Sequence, residues 1–186
     1  MHQSILIIDF GSQYTQLIAR RVRELNVYCE IHPFHHVPEL NETIKGVIFS
    51  GGPASVRDEN APYIDTKAYR GKLPVLGVCY GAQLMAQQAG GKVAPSKIRE
   101  YGRAHLQHDT TNDALFNNVS AQSIVWMSHS DTITEAPEGF NVIASTNDVK
   151  VAGYHITGES TYGVQFHPEV VHSDEGKVMI ENFVKN

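Results

Sequence analysis

The stretch Leu73-Pro74-Val75-Leu76-Gly77-Val78-Cys79-Tyr80-Gly81-Ala82-Gln83-Leu84 constrains the fold of this chain more than any other. It opens as a short apolar run, the mark of a strand buried on both faces, and ends as helix. Between the two stands Gly77-x-Cys79-x-Gly81, which predicts a sharp strand-to-helix turn. Glycine on either side removes a Cβ that such a turn would drive into neighbouring atoms. The pattern is that of a nucleophile elbow with cysteine in the place of serine. It sets a thiol above the end of a sheet at the N-terminus of a helix, whose dipole favours the reactive thiolate.

The first half of the chain repeats this alternation. Ile5 to Asp9 reads as a strand, and Gln13 to Leu25 carries Leu17, Ile18, Val22 and Leu25 at helical spacing. Val27 to Ile31 reads as a second strand and Val47-Ile48-Phe49 as a third, ending in Ser50-Gly51-Gly52-Pro53. Residues 74–78 form a fourth, with a helix beginning near Gly81. Strands alternating with helices predict an α/β fold with a mostly parallel central sheet and helices on both faces. Ligand sites on such sheets lie at the carboxyl ends of the strands. Asp9, the Gly51-Gly52 loop and Cys79 all fall there. From Lys92 to about Thr161 the chain is richer in β and turn signals, which predicts a β-rich antiparallel extension in the second half. Val149 to Tyr154 and Tyr162 to Phe166 flank Thr157-Gly158-Glu159 as a hairpin. Asp174 to Val184 reads as a helix with Val178, Met179 and Phe183 inward. No repeat, low-complexity run or linker breaks the chain, so residues 1–186 are expected to form one domain.

Composition narrows the function classes. A net charge of −5 argues against a nucleic-acid surface. No apolar run approaches the roughly 18 residues that span a bilayer. The N-terminus enters a strand without a cationic, apolar signal region, so a cytoplasmic protein is expected. The two cysteines, Cys29 and Cys79, are read as reduced, and Cys29 as a buried structural thiol. Of the ten histidines, His32, His35 and His36 stand together but read as surface-loop residues; no Cys-x-x-Cys occurs, and no metal is expected. Arg20, Arg21 and Arg23 read as a solvated helix face or part of a domain interface.

A thiol nucleophile needs a base and a group to orient that base. Tyr162-Gly163-Val164-Gln165-Phe166-His167-Pro168-Glu169 supplies both: a strand ending at His167, then a carboxylate two residues on across a stiff proline. By itself this segment reads more readily as a strand-ending turn. With the cysteine elbow in the same chain, Cys79 becomes the candidate nucleophile, His167 the base, and Glu169 the group that fixes its tautomer.

Four motifs in order, Ser50-Gly51-Gly52-Pro53, Gly77-Val78-Cys79-Tyr80-Gly81, Ser128-His129-Ser130-Asp131 and Gln165-Phe166-His167-Pro168-Glu169, resemble the class I, or triad, glutamine amidotransferases over nearly the whole chain. The opening block Asp9 to Glu24, Cys79-Tyr80-Gly81, Arg99-Glu100-Tyr101-Gly102 and Val125-Trp126-Met127-Ser128-His129 look like the GMP synthetase branch of that family. The resemblance implies hydrolysis of L-glutamine to glutamate and ammonia through a γ-glutamyl thioester on Cys79. It implies backbone N–H groups of Gly52 and Tyr80 as the oxyanion hole, and Gln83, Ser128, His129 and Ser130 as the glutamine-binding residues. Gln83 lies one helical turn beyond Cys79, so both can face one pocket. Asp131 reads equally as a cap or a direct contact, and Asp9 as a cap of the following helix.

The ammonia would pass to an ATP-pyrophosphatase synthetase domain that converts XMP to GMP. The family's Ser-Gly-Gly-x-Asp-Ser phosphate loop does not occur in these 186 residues. No cofactor is therefore expected in this domain, and ATP and Mg²⁺ belong to the partner, fused or separate, with the fused arrangement preferred. Other readings are a glutaminase for a different acceptor, a stand-alone cysteine hydrolase on a related fold, and a non-catalytic interaction module.

Overall fold

The computed structural model describes residues 2–109 and 113–186. Its elements run β1 (Ser4–Asp9), α1 (Thr15–Glu24), β2 (Tyr28–Pro33), β3 (Ile44–Phe49), β4 (Val75–Val78), α2 (Tyr80–Gln88), β5 (Lys92–His105), β6 (Gln107–His108), β7 (Ile124–Glu135), β8 (Phe140–Ser145), β9 (Gly153–Ile156), β10 (Thr161–Val164) and α3 (Gly176–Lys185). Eight strands make one sheet in the order β2-β1-β3-β4-β10-β9-β8-β6, and β5 and β7 make a separate two-stranded ribbon. The run from β2 to β10 is parallel. From β10 onward the pairing is antiparallel. The mostly parallel sheet and the antiparallel extension expected from the sequence are both present.

Strand alternation sends successive side chains to opposite faces, and each face is covered. Ile5 and Ile7 of β1 join Ile18 and Val22 of α1 and Met179 and Phe183 of α3 in one buried cluster. Leu6 and Ile8 join Phe49 of β3 and Leu84 and Met85 of α2 in the other. Burial on both sides is why β1, β3 and β4 read as almost uninterrupted apolar runs.

Several boundaries move. α1 begins at Thr15, two residues after Gln13, because the preceding turn has its own bonds. The Asp9 Oδ1 atom accepts from the Gly11 N–H at 2.8 Å and from the Thr15 hydroxyl at 2.8 Å. Asp9 thus braces the turn, while the cap position itself is Tyr14. The hairpin forms, with Gly163 opposite Tyr154, but its strands are shorter than the apolar stretches, and residues 149–152 lie outside it. In α3, Met179 and Phe183 point inward as expected, with Ile180 beside them, whereas Val178 is only half-buried. Cys29 is buried, and its thiol contacts the Ala19 carbonyl oxygen at 3.6 Å. His35 and His36 are exposed, whereas His32 lies not in a loop but in β2, half-buried, with its Nε2 3.0 Å from Glu30 Oε2. No helix among the described residues is long and apolar enough to cross a membrane.

Candidate active site

β4 passes into α2 through Cys79, whose backbone has φ +50° and ψ −105°. A side-chain-bearing residue rarely takes a positive φ, and the strain is held by the packing around it. That packing demands glycine on both sides. A Cβ on Gly77 would lie 2.5 Å from Met85 Cε and 2.8 Å from the Ala82 nitrogen. One on Gly81 would lie 2.5 Å from Phe49 Cβ and 2.7 Å from the Phe49 carbonyl oxygen. The Cys79 N–H donates to the Val164 carbonyl at 2.8 Å, tying the elbow to β10.

β10 carries the next part of the site. Just beyond it, His167 is fixed at both ends of its backbone: its N–H donates to the Trp126 carbonyl at 2.9 Å, and its carbonyl accepts from Ser173 Oγ at 2.6 Å. Its Nδ1 lies 2.6 Å from Glu169 Oε1. A carboxylate only accepts, so Nδ1 carries the hydrogen and Nε2 is left for the thiol. Glu169 is fully buried, and its carbonyl oxygen accepts from Arg21 Nε at 3.2 Å. The Tyr14 ring meets the imidazole edge-on at 5.1 Å between centroids. Burial pushes the His167 pKa down, but the Glu169 charge and hydrogen bonds to Cys79 and Glu169 outweigh it, leaving the pKa well above the ordinary imidazole value. The environment therefore favours an imidazolium next to the thiol.

The far wall is β7. Cys79 Sγ sits 3.7 Å from the Ser128 carbonyl oxygen and 3.6 Å from Gln165 Nε2. Gln83 Nε2 donates to the Asp131 carbonyl oxygen at 3.0 Å and to Gln165 Oε1 at 3.0 Å. His129 Nδ1 also bonds the Asp131 carbonyl, at 2.7 Å. Burial holds the pKa of His129 below the usual value, so this second histidine stands neutral beside the first. The Asp131 side chain caps no helix. Its Oδ2 accepts from Ser55 Oγ and its Oδ1 from Arg57 Nη2, the latter at 3.1 Å.

The near wall is the loop after β3. A Cβ on Gly52 would come within 2.5 Å of the Phe10 carbonyl oxygen, so only glycine lets the loop lie this close. The Tyr80 ring is buried against Phe10, and its hydroxyl donates to the Pro62 carbonyl. That leaves the Tyr80 backbone N–H, at the start of α2 with no carbonyl one turn earlier to bond, as the group able to serve the site.

These walls enclose a cavity of about 360 Å³. Of the residues singled out in the sequence, Gly52, Cys79, Gln83, Ser128, His129, Ser130, Asp131 and His167 line it. Glu169 stands behind His167, and Tyr80 lies beneath the elbow. Sequence reasoning missed Tyr14 and Tyr101 on the rim and Gln165 behind the thiol. Gln165 stands two residues before His167 in the same motif, just past the end of β10. Arg21 departs from the solvated face expected for it: it is 6% exposed and points at the His167–Glu169 turn, whereas Arg20 and Arg23 are exposed. No group of three or more metal-ligating side chains is placed to hold an ion among the described residues.

The sequence model of the class-I glutamine amidotransferase family matches residues 6–186. The glutamine-hydrolyzing GMP synthase of Cytophaga hutchinsonii is 62% identical over 184 residues, covering 99% of this chain and 36% of that protein. That of Bacteroides fragilis is 56% identical over the same share of each. The chain thus spans little more than a third of the length of these curated relatives. Among solved structures, a Thermoplasma acidophilum protein described as a GMP synthase subunit superposes with a TM-score of 0.85 at 29% identity, over 100% of this chain and 94% of that one. A glutamine amidotransferase of Thermotoga maritima shares the fold, with a TM-score of 0.80 at 18% identity over 100% and 97% of the two chains.

Proposed function

This chain belongs to the class-I glutamine amidotransferases, and from that premise we propose that it hydrolyses L-glutamine through a Cys79–His167–Glu169 triad. The observation that carries the reading is one geometry. A cysteine on a strained elbow lines the same cavity as an imidazole whose Nδ1 lies 2.6 Å from a fully buried carboxylate.

Cys79 Sγ attacks the side-chain carboxamide carbon, and the carbonyl oxygen becomes an oxyanion. The N–H groups of Gly52 and Tyr80 donate to it. His167 gives its proton to the departing nitrogen, and ammonia leaves as the γ-glutamyl thioester forms. The neutral imidazole then takes a proton from water, which attacks the thioester; glutamate is released and the thiol restored. Glu169 holds the imidazole in the tautomer that presents Nε2 to both reactants. Gln83 has spent both amide hydrogens on Asp131 and Gln165. It therefore offers glutamine an acceptor oxygen, suited to the α-ammonium group. Ser128, His129 and Ser130 supply the wall along which the substrate's backbone groups lie.

The ammonia is passed to an ATP-pyrophosphatase synthetase domain that converts XMP to GMP with ATP and Mg²⁺, all held outside residues 1–186, which act as a single glutaminase domain. Support comes from the name and the greater length of the relatives. The test is glutamate release from glutamine by this chain alone, then with a GMP synthetase synthetase domain, ATP, Mg²⁺ and XMP. Cys79→Ala is expected to lower release by at least about 1,000-fold. The loaded partner is expected to stimulate it. Activity in Cys79→Ala would overturn the triad. Full activity indifferent to the partner would overturn the coupling.

A further inference from the structure

We propose that Ser55 and Arg57 are positioning residues, latching the oxyanion loop across the cavity onto Asp131 and so holding the Gly52 N–H where the oxyanion forms. The inference rests on the oxyanion role proposed for Gly52. Upstream, the loop is firmly tied. The Ser50 N–H donates to the Ile8 carbonyl at 3.0 Å, the Ser50 hydroxyl oxygen accepts from the Phe10 N–H at 2.9 Å, and the Ser50 carbonyl accepts from the Gly81 N–H at 3.1 Å. Past Gly52 the chain leaves the sheet, and its downstream tie across the cavity is the Asp131 carboxylate. Both oxygens of that carboxylate are taken by the loop, one by Ser55 and one by Arg57.

The two latch residues act as one unit. The Arg57 N–H donates to Ser55 Oγ at 3.1 Å, and the Ser55 N–H to Asp58 Oδ2 at 3.2 Å. Val56 between them is buried in the core on the α2 side of the sheet. At the other end, the Asp131 carbonyl holds Gln83 and His129. One residue thereby joins the loop carrying an oxyanion donor to the wall that takes the substrate. Arg57 is 41% exposed, so its pairing sets geometry more than it adds stability.

The test uses Arg57→Ala, Ser55→Ala and Arg57→Lys with three readouts: glutamine hydrolysis, alkylation of Cys79 by iodoacetamide, and hydrogen exchange across residues 50–58. Alkylation displaces iodide at a saturated carbon and builds no oxyanion, so it reports on the thiolate alone. Either alanine variant is expected to lower kcat about tenfold or more, with KM little changed. Alkylation should stay within about twofold, and exchange in the loop should quicken. Arg57→Lys should recover part of kcat. Unchanged kcat, or hydrolysis and alkylation falling in parallel, overturns the latch. Should the unaltered chain release no glutamate under any condition, the proposed function falls by itself. Exchange then decides the latch: faster in the variants supports it, unchanged overturns it.

Discussion

Cys79 holds a conformation that works against its own side chain. Backbone strain at such positions is on the order of 1–3 kcal/mol and persists because the surroundings dictate it. Glycine at the same place escapes that cost, so Cys79→Gly is expected to be more stable than Cys79→Ala by about 1 kcal/mol in urea unfolding. His167 gives a prediction in pH. Its folded pKa lies above the unfolded value of about 6.5. Its contribution to stability is therefore complete below that value and lost as pH rises through the folded pKa. Glu169→Gln removes the carboxylate that raises the imidazole and leaves burial to depress it. The stability gap between the unaltered chain and Glu169→Gln should shrink as pH rises, read by thermal melts. In the same variant, alkylation of Cys79 should need a higher pH. The three residues of the proposed triad stand out in the sequence because each is fixed by neighbours: two glycines around the cysteine, one proline between histidine and glutamate. The ties of Asp131 to Ser55 and Arg57 do not, because they join residues more than 70 positions apart.

At the scale of elements, α1 teaches the most. Its apolar stripe was plain in the sequence, yet Arg21 was placed in solvent by its charge alone. Helical period sets position 21 beside 18, 22 and 25, on the side that packs inward. The guanidinium reaches the Glu169 carbonyl oxygen through Nε and Glu24 through Nη1, at 3.2 and 3.0 Å. Arg21→Ala leaves a buried acceptor without its donor and is expected to cost about 2 kcal/mol, measured by the urea midpoint. The elbow is as demanding. Gly81→Ala drives a methyl into Phe49, a backbone carbonyl included, and is expected to cost about 3 kcal/mol or prevent folding, checked by circular dichroism and urea titration. The ribbon of β5 and β7 was the least legible element. β5 is largely solvated, contains Pro95, and loses its register between Pro95 and Glu100, so no clean alternation reaches the sequence.

Across the whole molecule, alternation of strand and helix revealed the class of fold, while strand order stayed hidden. Order depends on which distant strands pair, and local pattern carries no record of that. The decisive pairing is β10 beside β4, which brings His167 to Cys79. Both core clusters draw on the same strands, so the chain is expected to unfold in one step. Fluorescence of the sole tryptophan, Trp126 on the ribbon, and exposure of the Cys29 thiol under the sheet should follow one urea curve. Two separate midpoints would show the ribbon melting by itself. The same pairing also governs when the enzyme can begin to work. A ribosome that has finished α2 has made a thiol with no base beside it. Roughly 80 further residues must be added before the histidine exists, and at about 5–20 residues per second that takes several seconds. Under the proposed mechanism a half-made chain spends no glutamine, because the order of synthesis acts as a time lock on the reaction.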